Sequence, residues 1–339
     1  MIIPEFIKPG DTVGITAPSD GIGEAVDIIR LENGERALES RGYRTLETND
    51  VRKSIGGRSA SGKARAEEFM GLMKYRDVRC VFSASGGDYL FETLDYIDFN
   101  EIRDNPKWFQ GYSDNTGITY TLTTISDVAS VYAGNFSDFG MKTWHKSLLD
   151  NIGILEGNNI TQRNYDKYET SFQDRVTGDE EFVLTEPVSY HLLGGNGAAR
   201  AEGRLLGGCL DVLIALCGTK FDNTRAFIDK YRDDGIIWYI ESFGLASERI
   251  EIALWQLKSA GWFDTAKAFI FGRPCFFSSG YEVSFDDAVK NAIHDFDVPI
   301  ITGADIGHRP PRFTMINGAK ANIEYLNNDF TLTYDLNEV

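Results

Sequence analysis

The sequence predicts an α/β protein in which helices cover a parallel sheet, and three observations carry that prediction. Short apolar runs alternate with helix-periodic segments through the first half of the chain. Turns rich in glycine, serine or proline separate them. After a polar stretch the second half resumes with buried-strand patterns and ends in alternating β-structure.

Taken in order, Thr12–Pro18 (TVGITAP) reads as a buried strand, Val26–Arg41 as a helix and Gly42–Leu46 as a second strand. Lys63–Tyr75 is helical, with Phe69, Leu72 and Met73 on one face. Arg79–Ser83 is a strand and Leu90–Tyr96 a helix. The apolar pair Trp108-Phe109 runs into Gly111-Tyr112-Ser113-Asp114-Asn115-Thr116, and a helix begins near Gly117. From Gly157 to Thr185 the chain is polar, which places a linker at 156–185 between domains at 1–155 and 186–339. Beyond it, Gly203–Gly208 leads into an apolar helix, Cys209–Cys217. Gly235–Ile240 is a buried strand ending at Glu241, and Glu248–Ala260 is a helix carrying Ile252, Trp255 and Leu257. Lys267–Gly272 and Val298–Thr302 are strands, and Ala321–Tyr334 forms terminal β-structure.

A chain of 339 residues with 42% hydrophobic and 12% aromatic content is long and apolar enough for two folded domains. The balance of 34 basic against 51 acidic residues, a net charge of −17, argues against nucleic-acid and anionic-membrane partners. No apolar run is long enough to span a bilayer, and MIIPEFIKPGD lacks the features of an export signal, so a cytoplasmic location is expected. Cys80, Cys209, Cys217 and Cys275 lie far apart in apolar surroundings and read as buried free thiols. No spacing suggests a metal site, and no cofactor is expected. The run Gly57-Arg58-Ser59-Ala60-Ser61-Gly62-Lys63-Ala64 lacks the hydroxyl residue a phosphate-binding loop needs for magnesium. It reads as a Gly/Ser loop capping the next helix.

Four pieces carry chemistry. A strand turning sharply into a helix holds a serine hydroxyl at the tip of a sheet, facing the next backbone N–H and the positive end of the helix, and this makes Ser113 a candidate nucleophile. Asn115 stands where a second glycine would complete the usual elbow, and a serine in such a turn is more often a turn or N-cap residue. Among the four histidines, His308 sits on a Gly- and Pro-shaped loop after a strand, whereas His145, His191 and His294 occupy less suggestive places. Glu241 ends a buried strand and needs a partner there. It is the candidate to orient a histidine, with Asp305 as its rival. Ser83-Ala84-Ser85-Gly86-Gly87-Asp88 offers backbone N–H groups for an oxyanion, supplementing that of Asp114.

Six segments in order resemble the LD-carboxypeptidase family of serine peptidases, which includes the microcin C immunity proteins. They are KPGDTVGITAPS, SASGGD, NPKWFQGYSDNT, EGRLLGGCLDVLIALCGT, WYIES, and IGHRPP with INGAKA downstream. The resemblance covers nearly the whole chain. It implies a Rossmann-like N-terminal domain and a smaller β-rich C-terminal domain with the active site between them. It further implies a homodimer, no metal, Ser113 as nucleophile, His308 as base, Glu241 as its orienting acid, and Gly87 and Asp114 N–H groups as the oxyanion hole. Gly86 and Arg309 are then expected at the substrate. Arg309 stands where a smaller residue is expected, and either closes the pocket or supplies a cation for a substrate carboxylate. The implied substrate is a murein tetrapeptide, cleaved at its terminal D-alanine, or an aminoacyl nucleotide cleaved at its amide; the remaining alternative is a noncatalytic peptide-binding relative.

Overall fold

The computed structural model describes residues 1–195 and 197–336; Asn196 and residues 337–339, all within the expected 186–339 domain, lie outside the described residues. The chain divides into two compact units. The first comprises Met1–Asn158, Phe172–Val183 and Thr314–Ile316; the second comprises Asn159–Ser171, Leu184–Phe313 and the chain from Asn317 on.

The first unit is built on β1 (Thr12–Thr16), β2 (Arg44–Glu47), β3 (Val78–Ser83), β4 (Trp108–Gln110) and β5 (Ser130–Tyr132). Their order in the sheet is β2-β1-β3-β4-β5, with Met315–Asn317 beyond β5. The pairs among β1 to β5 are all parallel, and the helices between them supply the crossovers that parallel neighbours need. This order reverses between β1 and β3, and in doubly wound sheets the crevice at the carboxyl ends of the strands beside that reversal is where ligands bind. The helix after β4, Thr116–Ser126 (TGITYTLTTIS), is buried on nearly every side despite its threonines. Two of their hydroxyls bond back within the helix: Thr121 Oγ1 donates to Gly117 O at 2.6 Å and Thr124 Oγ1 to Tyr120 O at 3.0 Å.

The second unit holds an eight-stranded sheet. Its centre is parallel: Ala198–Cys209, Ile236–Glu241, Ala266–Gly272 and Ile300–Ala304. Antiparallel strands flank it, with Lys320–Leu326, Asp329–Asp335 and Gln162–Arg163 on one side and His191–Leu193 on the other. IIWYIE is buried at every position because the strand is central and covered on both faces. In the helix Ser247–Ser259, Leu257 faces the core with Ile250, Ala253 and Leu254, while Ile252 and Trp255 face outward.

The polar segment 156–185 departs from the expected linker. Residues 159–171 add strands to the second unit. Residues 172–183 lie on the helix Ala25–Glu39 of the first, where Arg175 Nη1 pairs with Asp27 Oδ1 at 2.6 Å and Asn33 Nδ2 donates to Gly178 O at 3.0 Å. Such a segment is held by ion pairs and backbone acceptors, so it carries no apolar period for a sequence reading to find. Thr314–Ile316 likewise leaves the expected C-terminal domain, its buried apolar residues extending the first unit's sheet.

Candidate active site

Ser113 stands at the turn between β4 and the helix Thr116–Ser126, opening a single 3₁₀ turn, Ser113–Asn115. Its φ of 66° lies in the left-handed region, where a residue with a Cβ is strained by about 1–2 kcal/mol. Side chains around it hold that conformation. The Tyr112 N–H donates to Asn135 Oδ1 at 3.1 Å, and the Ser113 N–H donates to the Tyr132 hydroxyl at 3.2 Å. Asn115 Nδ2 donates to Ser85 O at 2.9 Å and Tyr112 O at 3.0 Å, which ties the turn to the end of β3. A side chain on Gly111 would meet Asn115 at 2.8 Å, so the glycine and the asparagine that breaks the usual elbow pattern are complementary.

The segment after β3 reaches the same place. A Cβ on Gly86 would lie 3.1 Å from both Cβ and Oγ of Ser113, so glycine keeps the space beside the hydroxyl open. At Gly87, φ is 152° and a Cβ would collide with Ser19 Oγ. Ser19 follows β1, and its hydroxyl donates to Asp114 Oδ2, which also accepts the Leu90 N–H at 2.8 Å. Burial pushes the Asp114 carboxyl above the usual carboxylate range, against the pull of those two donors. Thus Ser19, Gly86, Gly87, Ser113 and Asp114 gather at the carboxyl ends of β1, β3 and β4.

In the second unit, His308 Nδ1 and Glu241 Oε2 lie 2.9 Å apart, with Glu241 only 1% exposed. Glu241 ends its strand in register with Cys209 on the neighbouring one. Burial, with the adjacent Glu241 carboxylate adding to it, pushes the Cys209 thiol well up, which keeps it protonated. Gly307, at φ 95°, passes so close that a Cβ there would lie 2.5 Å from Glu241 Oε2. The glycine before the histidine is therefore what lets the loop settle onto the acid. Phe243 packs against the imidazole, with ring centroids 4.6 Å apart.

Asp305, the rival acid, is occupied elsewhere. Its Oδ1 accepts Arg273 Nη2 at 2.7 Å, and its Oδ2 accepts the Tyr165 N–H and the Tyr190 hydroxyl, each at 3.0 Å. It braces the loop that carries His308. Arg309 Nη2 donates to Cys275 O at 2.5 Å, and its guanidinium lies 5.9 Å from the Phe276 ring. The remaining histidines serve locally. His145 caps the helix Lys146–Leu155, exposed His191 pairs with Asp286 at 2.7 Å, and His294 ends the helix Phe285–Ile293. The four cysteines are free thiols, with Cys217 less buried than the others. In the glycine-serine run, Ser61 caps the helix Gly62–Lys74 and Arg58 pairs with Glu92 at 2.7 Å.

Sequence reasoning missed the braces: Tyr132, Asn135, Ser19, Gly307 and Phe243. A glycine next to the candidate histidine was a signal for Gly307. Nothing local marks Tyr132 or Asn135, which lie 19 and 23 residues from the atoms they hold. Among the described residues, no group of three or more His, Cys, Asp or Glu side chains is placed to hold a metal ion, and no helix is long and apolar enough to cross a membrane.

Comparison with known proteins places these pieces in context. Residues 13–133 match the LD-carboxypeptidase N-terminal domain, and residues 202–323 match the LD-carboxypeptidase C-terminal domain. The chain is 28% identical to the Bacillus subtilis protein named "Probable murein peptide carboxypeptidase", over 94% of this chain and 90% of that one. It is 25% identical to the microcin C7 self-immunity protein MccF of Escherichia coli, over 96% and 93%. In fold it matches the wild-type MccF structure with a TM-score of 0.81 at 22% identity, covering 99% of both chains. A muramoyltetrapeptide carboxypeptidase from Oxalobacter formigenes matches with a TM-score of 0.74 at 22% identity, over 95% of this chain and 98% of that one.

Proposed function

Since the chain belongs to the LD-carboxypeptidase family, we propose that it is a serine carboxypeptidase hydrolysing the L,D-amide bond to the terminal D-alanine of murein tetrapeptides. The observation that carries this reading is the buried hydrogen bond between His308 Nδ1 and Glu241 Oε2. A carboxylate at Nδ1 selects the tautomer protonated there, which makes Nε2 the basic nitrogen of the ring. The strained turn at Ser113 and the open space beside Gly86 supply the matching nucleophile.

Ser113 Oγ attacks the scissile carbonyl carbon as Nε2 of His308 takes its proton. The carbonyl oxygen becomes an oxyanion received by the N–H groups of Gly87 and Asp114. Collapse of the tetrahedral intermediate breaks the C–N bond, and His308 returns the proton to the leaving amine of D-alanine. Water, deprotonated by His308, then attacks the acyl-enzyme and regenerates the Ser113 hydroxyl. Glu241 holds the ring and balances the imidazolium in both halves without itself becoming protonated. In this reading the protein works in the cytoplasm as a homodimer on recycled wall peptides.

The second reading is an amidase acting on aminoacyl nucleotides. It is favoured by the likeness to MccF, whose structures include complexes with glutamyl sulfamoyl guanosine and aspartyl sulfamoyl adenosine. Mass spectrometry of the purified protein with a murein tetrapeptide, and with Ser113→Ala beside it, decides between them. Loss of one D-alanine with wild type alone is the expected result. No cleavage by either, followed by cleavage of an aminoacyl nucleotide, transfers the same chemistry to the second substrate.

A further inference from the structure

The helix Gly62–Lys74 carries an arginine on its inner face. Arg65 is fully buried, and among the described residues its Nε meets no acceptor. Its Nη2 lies 2.5 Å from Glu92 Oε2, a carboxylate that Arg58 also engages. Burying a guanidinium with one N–H unsatisfied costs stability, and a well-packed apolar side chain of similar volume would serve the core as well or better. Packing alone therefore does not account for an arginine here.

What Arg65 grips lies behind the proposed oxyanion donors. Three backbone carbonyls converge on its Nη1: Pro18 O at 3.0 Å, Ser19 O at 3.1 Å and Tyr89 O at 3.2 Å. They belong to the loops that follow β1 and β3. The same two loops supply the two donors to Asp114 Oδ2, the Ser19 hydroxyl and the Leu90 N–H. Each donor is joined to a gripped carbonyl. Ser19 offers its own O to Arg65, and the Leu90 N–H shares a peptide plane with Tyr89 O. Carbonyl and N–H of a trans peptide point in opposite directions, so the Tyr89–Leu90 peptide is held from both sides, by Arg65 and by Asp114. A second peptide is aimed through the same loop. Asp20, next to Ser19, donates its N–H to Gly86 O at 3.2 Å, which sets the direction of the Gly87 N–H on the far side of that peptide. One buried cation thus fixes the loop after β1, and that loop fixes both the Asp114 carboxylate and the Gly86–Gly87 peptide.

Resting on the function proposed above, we infer that Arg65 is a positioning residue of the oxyanion hole: it holds the loops after β1 and β3 so that the N–H groups of Gly87 and Asp114 meet the substrate oxygen as it becomes negative. Arg65 itself touches no reacting atom. Donors set in advance act on the tetrahedral state far more than on bound substrate, so losing Arg65 falls on kcat and leaves KM.

The test compares wild type with Arg65→Met, Arg65→Lys and Ser19→Ala. Turnover is measured on whichever of the two proposed substrates is cleaved, and affinity by calorimetry in the Ser113→Ala background. A fluorophosphonate probe gives a readout that needs no substrate: Ser113 Oγ bonds to phosphorus, fluoride leaves, and the phosphoryl oxygen takes the oxyanion position. Arg65→Met is expected to lower kcat and the phosphonylation rate about a hundredfold, as the loss of one oxyanion donor does, with KM and affinity unchanged. Arg65→Lys keeps the charge and is expected to recover about tenfold of that loss. Ser19→Ala removes one donor to Asp114 and is expected to cost about tenfold in both rates, which keeps the test readable if Arg65→Met does not fold.

A lower melting temperature with an unchanged phosphonylation rate per folded molecule makes Arg65 structural only and overturns the inference, even if cleavage proceeds. A loss that falls on KM and affinity overturns it too, as does an unchanged rate in Ser19→Ala where Arg65→Met does not fold. Phosphonylation that depends on Arg65, in a protein that cleaves neither the tetrapeptide nor an aminoacyl nucleotide, keeps the inference and overturns the peptidase reading. A wild type that neither reacts with the probe nor cleaves either substrate overturns both.

Discussion

The Ser113 turn and the Glu241–His308 pair are held by opposite means. Ser113 is kept in a conformation its own Cβ disfavours, by neighbours that bind the backbone on either side: Tyr132, Asn135 and Asn115. Glu241 and His308 adopt a favourable contact between side chains, and the surroundings act by leaving space for it, at Gly307 above all. One piece stores strain and the other stores complementarity. Substitutions should therefore separate activity from stability differently in the two places.

The largest expected effect is at the nucleophile. Ser113→Ala should lower kcat by about 10⁵-fold with the fold intact, measured as D-alanine release beside a circular dichroism melt. Near-normal turnover would remove Ser113 from the mechanism. Next, Glu241→Gln should cost about 10⁴-fold in kcat because the amide favours the wrong imidazole tautomer. Its foil is Asp305→Asn, which leaves the buried Arg273 unpaired and should cost about 3–5 kcal/mol of stability, read by urea denaturation. If Asp305→Asn instead spared stability and crippled kcat, the roles of the two acids would be reversed.

Two glycine exchanges sharpen the contrast. Gly307→Ala forces a Cβ toward Glu241 in a left-handed backbone and should lose about 1–3 kcal/mol together with activity. Ser113→Gly should do the reverse for stability, gaining about 1 kcal/mol by relieving φ while abolishing turnover. A loss of stability in Ser113→Gly would mean the turn is not strained.

The smallest effect lies away from both pieces. Burial, together with Glu47, pushes the Glu35 carboxyl up to about 7. A carboxyl raised on folding contributes stability that is whole below its unfolded pKa and is lost as pH rises through the folded value. Wild type should thus lose about 1 kcal/mol between pH 4.5 and 8 at this site, a figure reduced for partial exposure. Glu35→Gln should flatten that slope in melts across the range, and an unchanged slope would refute the assignment.

Much of the candidate site was legible in the sequence. Ser113, Glu241 and His308 each stand at a strand end or on the loop that follows one, and apolar runs locate strand ends well because a central strand is buried on both faces. The sequence favoured Glu241 as the partner of His308 but left Asp305 open as a rival. Asp305 is the nearer in sequence, and only the positions of Arg273, Tyr165 and Tyr190 show that its oxygens are already used. The polar segment 172–183 hid its attachment for the same reason, since ion pairs such as Arg175–Asp27 leave no period in the sequence.

By itself, then, the sequence determined the alternation of strands and helices, the two-part organisation and the chemical identity of the candidate residues. These follow from periodicity and side-chain chemistry, which are local. The tertiary structure alone decided that the oxygens of Asp305 are used elsewhere, which side chains brace the serine, and that Phe243 packs on the imidazole. Each of those depends on groups far apart in the chain competing for one hydrogen-bond acceptor or one volume, and only folding settles that competition.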